Sequence, residues 1–529
     1  MNIYPVKNIS ERFPKFKNIF NDSSDIKTKY IVLITILIGL AAQFLSYHFD
    51  YVYAYRDAIF RTEAARRFLD ATNPGFINQL GTVWLPIPNI ILMPFTSIDF
   101  MWYSGLCGCI VNFFAFLVSS VVIYLMLKLY TKNSLSSFFG FLVFILNYNI
   151  LYFQTTAMTE VMYLCFIILL IYFSSKWVFE NKYRFLFYSS IFSALALGTR
   201  YDAWPIFGVS SILMLVTSVK LKRKLIKSIF LYTFLPALFL CLWLLYNWIY
   251  LGDVLEFSRG KFSTLAQLKY YEDAGRLLTK HNFLLSLNVT LSSISAYSGI
   301  LIAFLGLSGA GYYFYENKKD ISKYFPFIFL FAFPASLILL YLGQLIIELP
   351  NSEPPGYFNS RYGLYIFPGI SFFAGILVYY LRQIKNELIK IILTSVVLIL
   401  FISQSLFSFS WFPSHIPALA EAKYSYSQPS VDVSEFLNKN YDGEKLLYDG
   451  AIFAIYPWAK VNLRDRITFH TFDLGEKAMK NPVMYAKWVM FYTKAPNDFI
   501  FNALDTNSNF RNNYDLVFSE SGIEVYKRK

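Results

Sequence analysis

Of the 529 residues, 56% are apolar, 20% aromatic and only 15% charged, and the mean hydropathy is +0.44. Soluble domains run to about 45–50% apolar and about 25% charged, so the composition excludes a soluble globular protein and implies a polytopic membrane one. The net charge of +13 would suggest a nucleic-acid partner in a soluble chain; here it bears on which side of the membrane holds the Lys and Arg, and no nucleic acid is expected.

The opening stretch, residues 1–29, is basic and polar and lacks the short apolar core and small-residue cleavage site of a signal peptide. The first apolar run is therefore expected to be retained. Runs of roughly 17–25 apolar residues are long enough to cross a bilayer. They predict about eleven spans, near 30–49, 102–127, 134–153, 157–175, 184–199, 203–219, 228–249, 296–315, 324–347, 362–381 and 389–410. Alternate connections are rich in Lys and Arg, for example Lys220, Lys222, Arg223, Lys224 and Lys227. That bias marks the cytoplasmic side. With an odd number of spans it predicts a multi-pass protein of the cell (plasma or inner) membrane, with the N-terminus cytoplasmic and the C-terminus extracytoplasmic.

The long connections all fall on the outer side: 50–101, a loop of about 45 residues from Tyr250 to Ala296, the loop Glu348–Arg361, and the tail after Ser410. The tail, 411–529, is richer in charge. VDVSEFLNKNY (431–441) has helical spacing, KLLYD and KWVMFY read as strands, and the last sixteen residues read as two strands joined at Ser521-Gly522. A small α/β domain is expected there, without a phosphate loop and with no evident chemistry. The domains expected are a cytoplasmic segment 1–29, an all-α membrane domain 30–410 and an extracytoplasmic α/β domain 411–529.

The first outer segment, RDAIFRTEAARRFLDATNPGFINQLGTVWLPIPN, is the most charged. Phe60, Ala64 and Phe68 recur every four residues, as on a helix over 57–70 lying along the membrane with that face down. Asp57 and Arg61, and Glu63 and Arg67, are spaced as i,i+4 ion pairs. Pro86 and Pro88 suggest a kinked re-entry into the membrane. From the residues alone this helix is either an interfacial anchor or a catalytic segment. Other polar residues gather on the same side. Glu160 lies at the start of a span, where an ionisable group is a functional candidate. Arg200 and Asp202 sit at a tight turn (GTRYDAWP), Asp253, Arg259 and Lys261 follow the span ending near 249, and Arg361 in NSRYG stands at a span mouth against the positive-inside bias. Carboxylates and guanidiniums at one membrane face suit sugar transfer from a lipid phosphate. The phosphate is already a good leaving group that needs cationic stabilisation, and the acceptor hydroxyl needs a carboxylate base.

The segments RDAIFRTEAARR, QLGTVWLPIPNIILMPF, TTAMTE, GTRYDAW, YNWIYLGD and NSRYGLY, in that order, resemble the GT-C superfamily of integral-membrane glycosyltransferases. The similarity is to the branch containing protein O-mannosyltransferases and lipid A aminoarabinose transferases, and it covers about 1–410. The resemblance implies that Asp57 is the general base and that Glu160 and Asp202 orient it or the acceptor. It also implies that Arg361, Arg200 and Lys261 hold the lipid phosphate and that the anomeric centre inverts. Arg61, Trp84, Arg259 and Tyr362 complete the substrate-binding candidates. Related members often carry Ser-His where this chain has Phe60-Arg61, and many carry a paired acidic motif where Asp57 stands alone. No cofactor and no bound divalent metal are expected, and His48, His281, His415 and His470 are too scattered for a metal site. The partners implied are a polyprenyl-phosphate sugar donor, a protein, lipid or glycan acceptor, and membrane lipid. The competing reading is a transporter or flippase for a polyprenyl-linked glycan, which should show charges within spans and similar halves.

Overall fold

The computed structural model describes residues 26–77, 79–260, 263–352, 355–410, 416–450, 452–468, 473–495 and 497–529. Lys261, His415 and His470 lie outside them. Among the described residues seven helices are long and apolar enough to cross a membrane: Thr28–His48 (α1), Leu106–Thr131, Glu160–Glu180, Ala203–Lys220, Leu225–Leu251, Ser360–Leu381 and Glu387–Phe409. The other four expected spans are irregular. Ser134–Ile145, Arg184–Leu197 and Phe325–Tyr341 are shorter apolar helices. The remaining one is a bent pair, Phe283–Ser298 and Ile300–Asn317, which meet at 104°.

That bend has a local cause. Gly299 between the two helices has φ +77°, and a Cβ there would lie 2.6 Å from Cδ of Gln404. The Gln404 Oε1 accepts the Leu301 N–H at 3.3 Å, occupying one of the donors that a helix start leaves open. The loop expected over 250–296 is therefore half helix.

The charged segment after α1 forms helix α2 (Arg56–Arg66), shorter than expected, and helix α3 (Pro86–Thr96) packs against it. Pro86 and Pro88 lie in the first turn of α3, where the missing N–H costs nothing. They start a helix rather than kink a span. Nor is the expected Phe60–Ala64–Phe68 stripe left open for lipid. Phe68 is buried and Phe60 packs with Ile59 against Ala454 and Tyr456 of the tail, while Ala58 and Ala65 enter the core of the apolar helices.

The tail begins with helix α4 (Pro417–Ser425), whose Ala418, Leu419 and Ala422 enter the same core as the long apolar helices. Helix α5 (Gln428–Asn440) follows. Five strands then form one mixed sheet: β1 (Leu446–Tyr448), β2 (Arg466–Ile467), β3 (Trp488–Tyr492), β4 (Tyr514–Glu520) and β5 (Ile523–Arg528), in the order β2-β1-β3-β5-β4. The pairs β1–β2 and β1–β3 are parallel; β3–β5 and β4–β5 are antiparallel. Alternation sends Leu446, Tyr448, Trp488 and Met490 into one core with α5, and Leu447, Val489 and Phe491 into a second on the opposite face. The two-residue strand β2 is too short to show a sequence signal.

Candidate active site

The charged residues expected at span ends converge at one end of the helical bundle, and Arg361 is their centre. It sits in a tight turn, Ser360–Leu364, just before the helix Phe367–Leu381. Close approach fixes that turn. A Cβ on Gly363 would lie 2.2 Å from the Ser293 carbonyl oxygen, and the Ser293 hydroxyl donates to the Ser360 carbonyl at 2.7 Å.

The Arg361 side chain is 11% exposed and touches three carboxylates. Its Nη2 donates to Asp57 Oδ2 at 3.1 Å, its Nη1 to Glu421 Oε1 at 2.7 Å, and its Nε lies 3.0 Å from Glu160 Oε1. Nη1 also donates to the Tyr55 hydroxyl, which in turn donates to Glu421. Burial pushes the Tyr55 phenol well above its ordinary value, against the pull of Arg361, so it remains a donor. Glu160, fully buried as the first residue of its helix, shares Oε1 with Arg200 Nη1 at 3.0 Å, while its Oε2 has no hydrogen-bond partner. Arg200 donates through Nε to Asp202 Oδ2 at 2.8 Å and through Nη1 to Thr159 at 3.1 Å, and its guanidinium lies over the rings of Tyr362 and Tyr365. The result is one alternating chain, Asp57–Arg361–Glu160–Arg200–Asp202.

Asp57 is 39% exposed, against 0% for Glu160, 3% for Glu421 and 18% for Asp202. Of the four, it is the carboxylate a substrate can reach. Its expected i,i+4 pairing with Arg61 gives way to Arg361. One turn along α2, Arg61 stacks on the Trp84 ring at 3.7 Å and keeps Nη1 buried without a partner. Burial pushes Arg61 down to about 10, with Asp57 pulling the other way. A buried guanidinium with an unused N–H fits an incoming anion better than Arg361, whose three nitrogens already face oxygen.

The structure thus brings Asp57, Arg61, Trp84, Glu160, Arg200, Asp202, Arg361 and Tyr362 together. Arg259 lies exposed on the short helix Glu256–Arg259 and makes no described contact with them. Glu421 and Tyr55 were not singled out in the sequence. The one hint of Glu421 is a lone carboxylate within the apolar run IPALAEA. Among the described residues no group of three or more His, Cys, Asp or Glu could hold a metal ion.

No protein-family model matches the chain, and no curated protein matches it. Solved structures do. ArnT from Cupriavidus metallidurans bound to undecaprenyl phosphate is similar over 95% of this chain and 98% of that one, with TM-score 0.57 and 10% identity. Its apo state gives TM-score 0.53 and 12% identity over 94% and 97%. The Archaeoglobus fulgidus oligosaccharyltransferase, tethered to an acceptor peptide containing the NVT sequon, gives TM-score 0.51 and 9% identity over 95% and 74%. At these identities the likeness is one of fold alone: a helical membrane domain followed by a small C-terminal sheet domain.

Proposed function

We propose that this chain is an inverting membrane glycosyltransferase that moves a sugar from a polyprenyl-phosphate donor to an acceptor hydroxyl on the outer face of the membrane. One observation carries the reading: a half-exposed carboxylate, Asp57, is held by Arg361 one helical turn from a stacked arginine with an unused N–H. The fold shared with a structure bound to undecaprenyl phosphate supports it.

Asp57 Oδ2 is fixed by Arg361, which leaves Oδ1 to take the acceptor proton. As that proton moves to Asp57, the acceptor oxygen bonds to the anomeric carbon from the face opposite the phosphate. The bond from that carbon to the phosphate oxygen breaks, and its electron pair leaves with polyprenyl phosphate. Arg61, backed by Arg361 and Arg200, offsets the charge that develops on the leaving oxygen. No proton need be supplied to a leaving group that is already stable as an anion. Glu160 and Asp202 orient the two arginines rather than touch the acceptor. A flippase would place its ionised groups along a path through the bilayer; this cluster sits at one end of the bundle.

The test is to incubate membranes containing the full chain with undecaprenyl phosphates carrying different radiolabelled sugars and to follow the label into protein, lipid and glycan fractions. Removing a general base costs about 10²–10⁴-fold, so Asp57→Asn is expected to lose transfer by that factor while inserting normally. Transfer by the variant at near wild-type rate would overturn the assignment.

A further inference from the structure

The carboxylate that completes the Arg361 cluster comes from the tail. Glu421 lies on α4 and is buried. Its two oxygens face five donors. Oε1 receives Arg361 Nη1 at 2.7 Å and the Tyr55 hydroxyl; Oε2 receives the Ser360 hydroxyl at 2.5 Å, and the Arg361 backbone N–H and the Tyr297 hydroxyl at 3.3 Å each. A neutral acceptor could satisfy the hydroxyls without the cost of burying an ion. The buried charge is matched to Arg361, which it grips at both side chain and backbone.

That grip bears on Asp57. Arg361 shares its one positive charge among Asp57, Glu160 and Glu421, while Arg56, Arg61 and Tyr55 also face Asp57 and Arg200 faces Glu160. Without Glu421, more of the Arg361 charge would act on Asp57, making it a poorer proton acceptor, and on any phosphate beside it, holding the spent carrier more tightly. We propose that Glu421 is a positioning residue of the transfer site, aiming the Arg361 guanidinium and moderating its charge so that Asp57 stays basic and the carrier phosphate can leave. The inference rests on the reading of Asp57 as the base.

Glu421→Gln separates this from a merely structural role, since its amide oxygen can keep Arg361 Nη1 and its amide nitrogen can donate to the Ser360 hydroxyl. Two quantities are measured on the full chain: binding of bare undecaprenyl phosphate in detergent, and transfer from whichever undecaprenyl-phosphate sugar labels an acceptor. The expected result is a kcat about tenfold lower together with an affinity for the bare carrier about tenfold higher, each equivalent to about 1.4 kcal/mol. Wild-type values of both, or a loss of both together, would overturn the proposal. Glu421→Asp keeps the charge but withdraws it by one methylene, and is expected to lower kcat about threefold at unchanged carrier affinity. Should Glu421→Gln not be recovered folded, Glu421→Asp decides alone: a wild-type kcat, or weakened carrier binding, would overturn the proposal. Asp57→Asn in the same assay distinguishes the two failures. Its retained transfer would remove the base and this inference with it, whereas an inactive Asp57→Asn beside a wild-type Glu421→Gln would remove only the role given to Glu421.

Discussion

The contact between α2 and the tail sheet makes a sharp energetic prediction. Glu63 on α2 and Arg466 at the start of β2 are each 3% exposed and meet at 2.5 Å. Arg466 Nη2 also donates to the Val461 carbonyl at 2.9 Å, and the second Glu63 oxygen lies 3.8 Å from Arg67. Two unit charges about 4 Å apart attract by about 4 kcal/mol at an effective dielectric of about 20, and stranding one partner of a buried pair costs about 3–5 kcal/mol. The two single variants are therefore unequal. Arg466→Met leaves Glu63 with Arg67, so the carboxylate is not fully stranded and about 2 kcal/mol, below that range, is expected. Glu63→Gln leaves Arg466 and Arg67 facing one another without a carboxylate, and the full 3–5 kcal/mol is expected. Hydrogen exchange over 460–468 reads the opening of this contact directly. The double variant should recover about 2 kcal/mol of the summed losses, as expected for residues in contact. Additivity within about 0.5 kcal/mol, or a larger loss from Arg466→Met than from Glu63→Gln, would refute the reasoning.

Two further variants probe the site from its supports. Trp84→Ala removes the ring beneath Arg61; a partly desolvated cation–π contact is worth about 1–2 kcal/mol, so bare undecaprenyl phosphate should bind about tenfold more weakly, and kcat should fall by a comparable factor because Arg61 also offsets the charge on the leaving oxygen, as a titration and a KM–kcat comparison will show. Gly363→Ala drives a Cβ against the Ser293 carbonyl at 2.2 Å and displaces the turn carrying Arg361. Transfer should fall at least about tenfold and the thermal midpoint should drop, by an overpacking cost of about 1–3 kcal/mol, whereas Gly208→Ala, with nothing within 4 Å, should be neutral in both assays.

The membrane domain was legible because a long apolar run needs no partner to be recognised, and β1, β3 and the terminal hairpin because short apolar runs and a Ser-Gly turn are local signals. The cluster at one end of the bundle was legible in part: Glu160, Arg200, Asp202 and Arg361 each stand out as charge at a span end, and each meets another of the set. What they meet was not legible. The i,i+4 spacing of Asp57 and Arg61 suggested a pair, yet Asp57 bonds Arg361, 304 residues away, and Arg61 stacks on Trp84. Periodicity describes one helix, and these contacts depend on how distant helices cross. Glu421 is the extreme case, since nothing in IPALAEA says that α4 returns into the core of the membrane domain. The stripe on α2 misled for the same reason: the face that looked free for lipid was weighed without the domain that covers the helix.

The position of Asp57 now follows from forces at both ends of α2. At its N-terminal end Asp57 lies in the first turn, where the helix dipole favours an anion, and Arg361 ties it to the bundle. Towards the C-terminal end Glu63 is tied to β2. Just past that end Asp70, 3% exposed, accepts the backbone N–H groups of Leu463 and Arg464 and pairs with the Arg464 side chain. Arg66 braces the same end against Asp99 and the Thr96 carbonyl. A helix of eleven residues is marginal alone in water; this one is a strut between two domains, and loosening either end moves the carboxylate at its tip. The tail therefore bears on Asp57 twice, through Glu421 beside Arg361 and through Arg464 and Arg466 at the opposite end of the helix.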